Sequence, residues 1–198
     1  MPHQNRVDPL GDLHATPERG AWFGNRGCLH DDGGVIRRHH QGTRWLCCVT
    51  EFPPRKRTLL VPGRYTELFF LDEATAYAAG HRPCAECRRP AFRAFEALWQ
   101  KHFGETGVAA IDRRLQAARW QEGARRLVPV RAGDVPPGAM VQAGGETLLR
   151  GGEGWWRWSF QGYAPAAEPG PDLRLITPEP VAELMWRGLE VQRHRSAE

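Results

Sequence analysis

The sequence predicts an α+β protein, because segments typical of strands and of helices are grouped along the chain rather than alternating. Strand-like segments separated by turn signals fill the first third, helical segments follow up to about residue 120, and apolar runs broken by glycine and proline come after residue 126. One helical segment ends the chain. We therefore expect N-terminal antiparallel β-hairpins and a cysteine knuckle with two to three helices, then a small C-terminal β-meander and one helix.

Turn signals separate the apolar segments of the first third. Residues 1–20 are polar and contain several prolines and glycines, so they are predicted to form an irregular arm. Residues 21–52 are predicted to form antiparallel hairpins, because Asp31-Asp32-Gly33-Gly34 and Gln41-Gly42-Thr43 are typical of turns. Two further short strands are expected over residues 58–70.

Capping residues delimit the predicted helices. Asp72 is a favourable N-cap for a first helix, and Gly80 is its expected C-terminal stop. Pro90 suits the first turn of a second helix, which Gly104 would end. Thr106 is expected to start a third helix.

The pattern of residue types along the chain changes after residue 125. Short apolar runs alternate with glycine and proline there, which indicates a meander of hairpins, and Thr177 is predicted to cap the last helix. We expect two parts, 1–125 and 126–198, packed together as one unit. The aromatic run Trp155–Trp158 should alternate between the two faces of a strand, so that some of its members fill the core.

Composition excludes several classes of protein. With 198 residues, 41% of them hydrophobic, the chain can form a core and is not wholly disordered. No apolar run approaches the roughly 20 residues of a membrane span, and the first residues lack the apolar segment of a secretory signal. Five cysteines, an odd number, favour metal binding or reduced thiols over disulfides. We therefore expect a cytoplasmic protein with no membrane partner.

A Cys-x-x-Cys pattern, Cys84-Ala85-Glu86-Cys87, is the most informative local feature. Two thiolates at this spacing can bind one tetrahedral cation while backbone N–H groups point at the sulfur atoms. A redox motif would lie at a helix start after a strand, whereas this pair follows a predicted helix. Unliganded buried thiols are the other alternative. The pattern favours a zinc site, which makes the segment a zinc knuckle.

A zinc site needs further ligands from upstream. Cys48 ends a predicted strand and is expected to be the third ligand. Because adjacent strand residues point to opposite faces, only one member of the Cys47–Cys48 pair can easily face the site. The fourth ligand is left open between Cys28, His30 and Cys47.

The segment from Leu68 to Arg88, LFFLDEATAYAAGHRPCAECR, resembles the second half of the metal-binding domain of the Ada DNA-repair regulator family. That domain has a Phe-Phe strand, a short alanine-rich helix ending in glycine, and an aromatic-Arg-Pro-Cys-x-x-Cys knuckle. The resemblance covers about 21 of the 198 residues. It implies that Cys84 and Cys87 bind zinc in a module that contacts the DNA backbone.

The upstream half of that domain differs from this chain. The family places its first two zinc cysteines four positions apart, whereas Cys47 and Cys48 are adjacent here. In the family one zinc-bound cysteine accepts a methyl group from DNA phosphotriesters, and this role carries over to no residue of this sequence. The family's transcription-factor and methyltransferase domains have no counterpart in these residues.

Basic residues are concentrated in segments that we expect to contact nucleic acid, with DNA as the first candidate. The formal net charge is only +4, so the expectation depends on local density and not on the overall charge. The alternative is a solvated face whose aromatic neighbours Trp22, Phe23 and Trp45 fill the core. The predicted contact residues are Arg26, Arg37, Arg38, Arg44, Arg55, Lys56, Arg57, Arg82, Arg88 and Arg89.

Two other functions remain open at this point. A metal-dependent hydrolase or nuclease would use three protein ligands, Cys48, Cys84 and Cys87, and leave a fourth position for water. His39-His40 with nearby carboxylates is a weaker hint of hydrolytic metal chemistry, because adjacent strand histidines would face opposite ways. The other alternative to nucleic-acid binding is a purely structural zinc fold that serves protein interaction.

Overall fold

The computed structural model describes residues 2–54 and 58–197. These residues form two six-stranded sheets, a two-stranded ribbon and four α-helices. The first helix precedes the last strand of the first sheet, and the next two helices follow that strand. The predicted α+β class is confirmed, including the C-terminal meander and its last helix. Among the described residues, no helix combines the length and the apolar character needed to cross a membrane.

The bounds of the elements are as follows. The first sheet contains β1 (Gln4–Val7), β2 (Leu13–Ala15), β3 (Trp22–Asn25), β4 (Leu46–Cys48), β5 (Leu68–Phe70) and β6 (Arg82–Pro83). The helices are α1 (Glu73–Ala78), α2 (Arg89–Phe103), α3 (Val108–Arg119) and α4 (Glu179–Trp186). The ribbon is β7 (Trp120–Gln121) with β8 (Ala124–Arg125). The second sheet contains β9 (Val128–Val130), β10 (Met140–Ala143), β11 (Glu146–Arg150), β12 (Trp155–Ser159), β13 (Gly162–Ala166) and β14 (Leu173–Leu175).

The first sheet is mixed, and its two parallel pairs bring distant segments together. Its strand order is β2-β1-β5-β3-β4-β6. β3 pairs antiparallel with β4 and with β5, whereas β1 runs parallel to β5 and β4 runs parallel to β6. The β4–β6 pair sets Cys47 opposite Pro83. It therefore places the end of β4 beside the Cys-x-x-Cys knuckle.

Three local predictions in the N-terminal part are wrong. Residues 1–20 are not an irregular arm, because they contribute β1 and β2, and Val7 is completely buried. The expected strand after the Asp31 turn does not form, and the turn closes through a single bridge between His30 and Ile36. Of the two short strands expected over residues 58–70, only β5 forms, and residues 59–60 lie in a turn instead. The first of these errors has a non-local origin, because β1 pairs with β5 far along the chain and local patterns do not reveal that partner.

The helix ends follow the predicted capping residues. The Asp72 carboxylate accepts a hydrogen bond from the Thr75 N–H at 2.8 Å, which caps α1, and Gly80 adopts a φ of +89° just beyond that helix. Gly104 ends α2 in the left-handed conformation. The caps of α3 and α4 each lie one residue beyond the predicted threonine.

The second sheet carries hydrophobic packing on both faces. Side chains of β10, β11 and β12 alternate between a cluster shared with α2, α3 and α4 and a cluster shared with α1. Trp155 belongs to the first cluster, and Trp156 and Trp158 pack against the second, as strand alternation predicts. The first cluster joins residues from both sides of residue 125. The boundary at residue 125 itself stays a prediction.

Candidate metal centre

Three cysteine side chains meet between the end of β4 and the turn after β6. Their sulfur atoms, in Cys48, Cys84 and Cys87, all lie within 4.8 Å of one another. Cys48 and Cys84 are only 5% and 7% exposed, and Cys87 is half-buried. The structure thus brings together the three cysteines that the sequence predicts as ligands. Within residues 2–54 and 58–197, no other group of metal-ligating side chains meets in this way.

Strand alternation separates Cys48 from its neighbour Cys47. Cys48 faces the cluster beside Phe23, whereas Cys47 lies among core residues such as Leu68. The Cys47 sulfur accepts a hydrogen bond from Arg88 Nη1 at 3.3 Å, and burial raises the pKa of this thiol to about 12. Cys47 is therefore a core residue and does not belong to the group of three.

Backbone hydrogen bonds shape the knuckle around the sulfur atoms. The Cys84 N–H donates to the Cys47 carbonyl at 2.9 Å, which ties the turn to β4. The N–H groups of Cys87 and Glu86 donate to the Cys84 sulfur, and the Val49 N–H donates to the Cys87 sulfur. Donors arranged in this way stabilise thiolates, which are the forms that bind metal ions.

The three sulfur atoms share their protons unequally. Hydrogen bonds with Cys48 and Cys87 lower the pKa of Cys84 far below its usual value. The hydrogen bonds with Cys84 and Cys87, together with burial, raise the pKa of Cys48 well above its usual value. The hydrogen bonds within the group therefore favour the thiolate form of Cys84. A divalent cation would displace the protons that the group retains, since metal ligands must be deprotonated.

The donor set fits a zinc ion. Zinc binds thiolates at about 2.3 Å, which places the sulfur atoms of a tetrahedral site about 3.8 Å apart. The three sulfur atoms lie within 4.8 Å of one another, so small side-chain rotations suffice to reach that geometry. Soft thiolate ligands also favour zinc over magnesium or calcium.

Like Cys47, the other two predicted candidates for the fourth ligand lie outside the cluster. The Cys28 sulfur is 3.5 Å from the His30 carbonyl oxygen. His30 Nδ1 is hydrogen-bonded to Thr66 Oγ1 at 2.7 Å, and its Nε2 lies 3.3 Å from the Val61 carbonyl oxygen. Both ring nitrogens of His30 thus have other partners, and the assignment of Cys28 or His30 to the site is corrected. The described residues bring three ligands together.

A groove of about 810 Å³ opens beside Cys84. Its walls come from the end of β3, residues 41–44, the knuckle and the start of α3. Arg44 and Arg113 are exposed and line this groove, and Glu86 lines it as well. One concave surface therefore joins a candidate metal ligand to two exposed guanidinium groups.

Burial divides the predicted nucleic-acid contacts into two sets. Arg26, Arg82 and Arg88 are only 0%, 2% and 8% exposed, and the last two are ion-paired with Asp112 and Glu73. Because these guanidinium groups lie inside the fold, their assignment as direct contacts is corrected. The exposed members of the predicted set are Arg37, Arg38, Arg44 and Arg89. The remaining three, Arg55, Lys56 and Arg57, lie outside the described residues.

The aromatic and histidine residues of the basic segment pack inside. Trp45 is completely buried and Phe23 is 2% exposed, which agrees with the alternative that these rings fill the core. His39 and His40 do not lie on a strand, and both rings contact Trp45 and Trp120. The expectation that the two histidines face opposite ways is therefore wrong. They form no group with carboxylates that could hold a metal ion among the described residues.

Arg113 is the groove residue that sequence reasoning missed. Helical periodicity places Ile111 and Leu115 in the core and leaves Arg113 on the exposed side of α3. Helical periodicity predicts that Arg113 is exposed, but it does not predict which residues of other elements lie near it. The position beside the knuckle comes from tertiary packing of α3 against β6.

Comparisons with known proteins identify no relative: no family model matches the chain, no curated protein is similar to it, and no solved structure matches its fold. Function is therefore argued from the site alone.

Proposed function

We propose that Cys48, Cys84 and Cys87 bind one zinc ion and that the adjoining groove contacts nucleic acid, with DNA as the first candidate, in repair or damage sensing. The main support for this proposal is that Cys84 belongs to the sulfur cluster and also lines the groove. A strand bound in the groove would therefore lie against the metal centre. The cytoplasm suits this function, because a reducing compartment keeps metal-ligating and unpaired cysteines from forming disulfides.

The charges along the groove support a phosphate-bearing partner. Arg44 and Arg113 present exposed guanidinium groups, which bind phosphate oxygens in a two-pronged geometry. The Asp112 carboxylate also lines the groove, but Arg82 pairs with it at 2.7 Å and offsets its charge. A zinc ion with three thiolates carries a net charge of −1, so the arginines are the groups that would attract the backbone.

The zinc ion would also order the groove wall. Residues 84–87 form only a short turn, and the metal would tie this turn to the end of β4. Because a zinc site is not preformed in the unfolded chain, its binding free energy adds to the free energy of folding. Removal of the metal should therefore loosen the groove and weaken nucleic-acid binding.

Metal-dependent hydrolysis is the second candidate function. Three protein ligands leave a fourth position on a tetrahedral zinc ion, and a water molecule there has a lowered pKa. The position of Cys84 on the groove wall favours this candidate, because substrate in the groove would be next to that water. Cleavage of DNA that depends on added zinc would favour hydrolysis, and binding without turnover would favour the first candidate.

Metal analysis of purified protein tests the zinc proposal. We expect one zinc ion per chain, lost on chelation and lost in Cys48→Ser and Cys84→Ser. Cys28→Ser is the matched control, because this half-buried cysteine lies outside the cluster and its replacement should leave the stoichiometry unchanged. A metal-free wild-type protein after expression in zinc-supplemented medium would contradict the proposal, as would equal zinc retention in all three variants.

Binding measured against salt concentration tests the nucleic-acid proposal. We expect the affinity for DNA to fall steeply with salt, and the variant Arg44→Gln/Arg113→Gln to have a slope smaller by about two phosphate contacts. Arg157→Gln removes an exposed charge from β12 in the second sheet and serves as control. No binding at low ionic strength, or a slope that the double variant leaves unchanged, would refute this interface. RNA of the same sequence, used as competitor, separates the two nucleic acids.

A further inference from the structure

Guanidinium and imidazole side chains surround the buried ring of Trp45, the residue that precedes β4. The guanidinium carbons of Arg26 and Arg119 lie 4.9 and 4.0 Å from the Trp45 ring centre. Three imidazole rings lie 5.2–5.6 Å from it, centre to centre. We call this group the Trp45 cluster, and its members are Arg26, His39, His40, Trp45, His81 and Arg119.

The positive charge in this cluster lacks a carboxylate partner. Arg26 and Arg119 are completely buried, yet neither lies within 4 Å of a carboxylate oxygen among the described residues, unlike the ion-paired Arg82 and Arg88. Arg119 is satisfied by neutral oxygens, including the carbonyl of Gly80. Burying an unpaired charge is costly, so the arrangement calls for a counter-ion.

The pKa of Arg26 shows the effect of this unpaired positive charge most clearly. Burial, and then the nearby Arg125, lower the pKa of Arg26 to about 9, and Asp12 and Asp8 only partly offset the shift. The Asp8 carboxylate is bound to His14 at 2.8 Å and is not available as the partner. A bound anion would compensate the charge that these two carboxylates leave.

Several buried nitrogen atoms of the cluster have no hydrogen-bond partner. They are Nε and Nη1 of Arg26, which are donors, Nδ1 of His39, and both ring nitrogens of His81, of which a neutral ring offers one as a donor. Arg26 and His81 are completely buried, so these atoms are shielded from bulk water as well. More than nine in ten buried polar groups in proteins have a partner, and a concentration of exceptions in one place therefore points to a ligand.

The absence of a side chain at Gly11 leaves space for about one heavy atom beside Arg26 and His39. A Cβ atom at this residue would lie 3.3 Å from Arg26 Nη1 and 3.5 Å from His39 Nε2. The glycine backbone, at a φ of +95°, also provides the carbonyl oxygen that accepts from Arg26 Nη2 at 2.7 Å. One nitrogen of the guanidinium group is thus held in place, and the other two remain for a ligand.

We propose that Arg26, His39 and His81 form an oxyanion site that takes a phosphate group. A metal cation does not suit it, because the neighbouring guanidinium groups would repel the ion. An apolar ligand would leave the donors unsatisfied. A tetrahedral oxyanion accepts hydrogen bonds from several directions, and the half-buried rings of His39 and His40 are the part of the cluster that reaches the surface. The phosphate group can be free orthophosphate or the terminal phosphate of a nucleotide chain.

This site is separate from the groove of the proposed function. Asn25 and Gly27 line the groove, whereas the Arg26 side chain between them packs on Trp45 and donates to the Gly11 carbonyl. The segment after His40 continues directly into groove residues 41–44. The two surfaces therefore share one loop but use different side chains, and each proposal can fail without the other.

Phosphate titration at constant ionic strength, followed by calorimetry and by histidine side-chain NMR, tests the proposal. We expect saturable binding of one orthophosphate per chain, with shifts of the His39 and His81 resonances and none from equivalent chloride. Arg26→Gln and His39→Gln should each weaken binding about tenfold or more. Arg38→Gln, which removes an exposed charge next to His39, and Arg44→Gln/Arg113→Gln should change it less than about twofold.

The outcomes decide the proposal even where a variant is unstable. If circular dichroism shows that Arg26→Gln does not fold, the half-buried His39→Gln and the wild-type NMR shifts carry the test. Unsaturable binding, unshifted His81 resonances, or an effect of Arg38→Gln equal to that of His39→Gln would overturn the site. Competition by a dinucleotide with a 5′-phosphate, but not by its hydroxyl-ended form, would identify a chain terminus as the source. Competition by neither would identify free phosphate.

Discussion

The Arg82 guanidinium group and the Asp112 carboxylate form a two-pronged ion pair inside the protein. Arg82 Nε donates to Asp112 Oδ1 at 2.7 Å, and Nη2 donates to Oδ2 at 2.9 Å. Both residues are at most 5% exposed. The pair ties α3 to the strand that leads into the Cys-x-x-Cys knuckle, and so it holds the two walls of the groove together.

Asp112→Ala should destabilise the protein strongly. The change leaves the Arg82 charge buried without a partner, which typically costs about 3–5 kcal/mol of unfolding free energy. Urea denaturation measures the loss. The double variant Arg82→Met/Asp112→Leu removes both charges and should lose less than Asp112→Ala alone. Glu105→Gln, in the more exposed pair with Arg114, should cost about 1 kcal/mol or less. Equal losses in all three would contradict the buried-pair interpretation.

The local features of the site could be predicted from the sequence, and the non-local ones could not. The cap at Asp72, the stop at Gly80 and the Cys-x-x-Cys spacing depend on neighbouring residues, and the structure places them as expected. Cys48 is predicted from its position at the end of a strand, and strand alternation separates it from Cys47. The pairing of β1 with β5 and of β4 with β6 joins segments far apart in sequence, so no short window contains the information.

The burial of individual arginines also could not be predicted from local sequence. Arg26 and Arg44 belong to one basic segment, yet Arg26 is completely buried and Arg44 is exposed in the groove. Charge density predicted a contact surface for both. What separates them is the packing of Arg26 against Trp45 and Gly11, which depends on the N-terminal strands that the sequence was expected to leave irregular.

Tyr163→Phe should destabilise the protein more at neutral than at acidic pH. The Asp72 carboxylate accepts from the Tyr163 hydroxyl at 2.8 Å and from the His194 N–H at 2.9 Å. Burial nevertheless raises the pKa of Asp72, so stability due to its protonated form is complete below about pH 3.8 and is lost as pH rises through the folded pKa. Loss of the hydroxyl removes a donor to the charged form and should cost about 1.5–3 kcal/mol at pH 7. Denaturation at pH 7, 5 and 4 should show the cost shrinking, and a constant cost would be evidence against this linkage.

His81→Phe should flatten the dependence of stability on acidity. Burial, and then Arg26 and Arg119, lower the pKa of His81 well below its usual value, so the folded chain keeps this ring neutral where the unfolded chain protonates it. Stability is therefore lost as pH falls below about 6.5, by up to about 1.4 kcal/mol per pH unit for such a group. Chemical denaturation in phosphate-free buffer from pH 7.5 to 5.5 should give a smaller slope for the variant. Parallel profiles for variant and wild type would exclude His81 as a source of acid sensitivity.

Gly80→Ala should cost more stability than Gly104→Ala, although both glycines end a helix in the left-handed region. Gly104 has a φ of +69° and open space around the missing Cβ, so alanine there meets only backbone strain of about 1–2 kcal/mol. At Gly80 the new Cβ would lie 2.7 Å from Arg119 Cδ and 3.0 Å from Arg125 Nη1. Arg119 would have to move, and its hydrogen bond to the Gly80 carbonyl and its packing on Trp45 would weaken. Both variants gain equally from the lower entropy of the unfolded chain, so the difference in their unfolding free energies isolates the contact. Equal losses would mean that Arg119 finds another position without cost, and the Trp45 cluster would then be less tightly packed than the distances indicate.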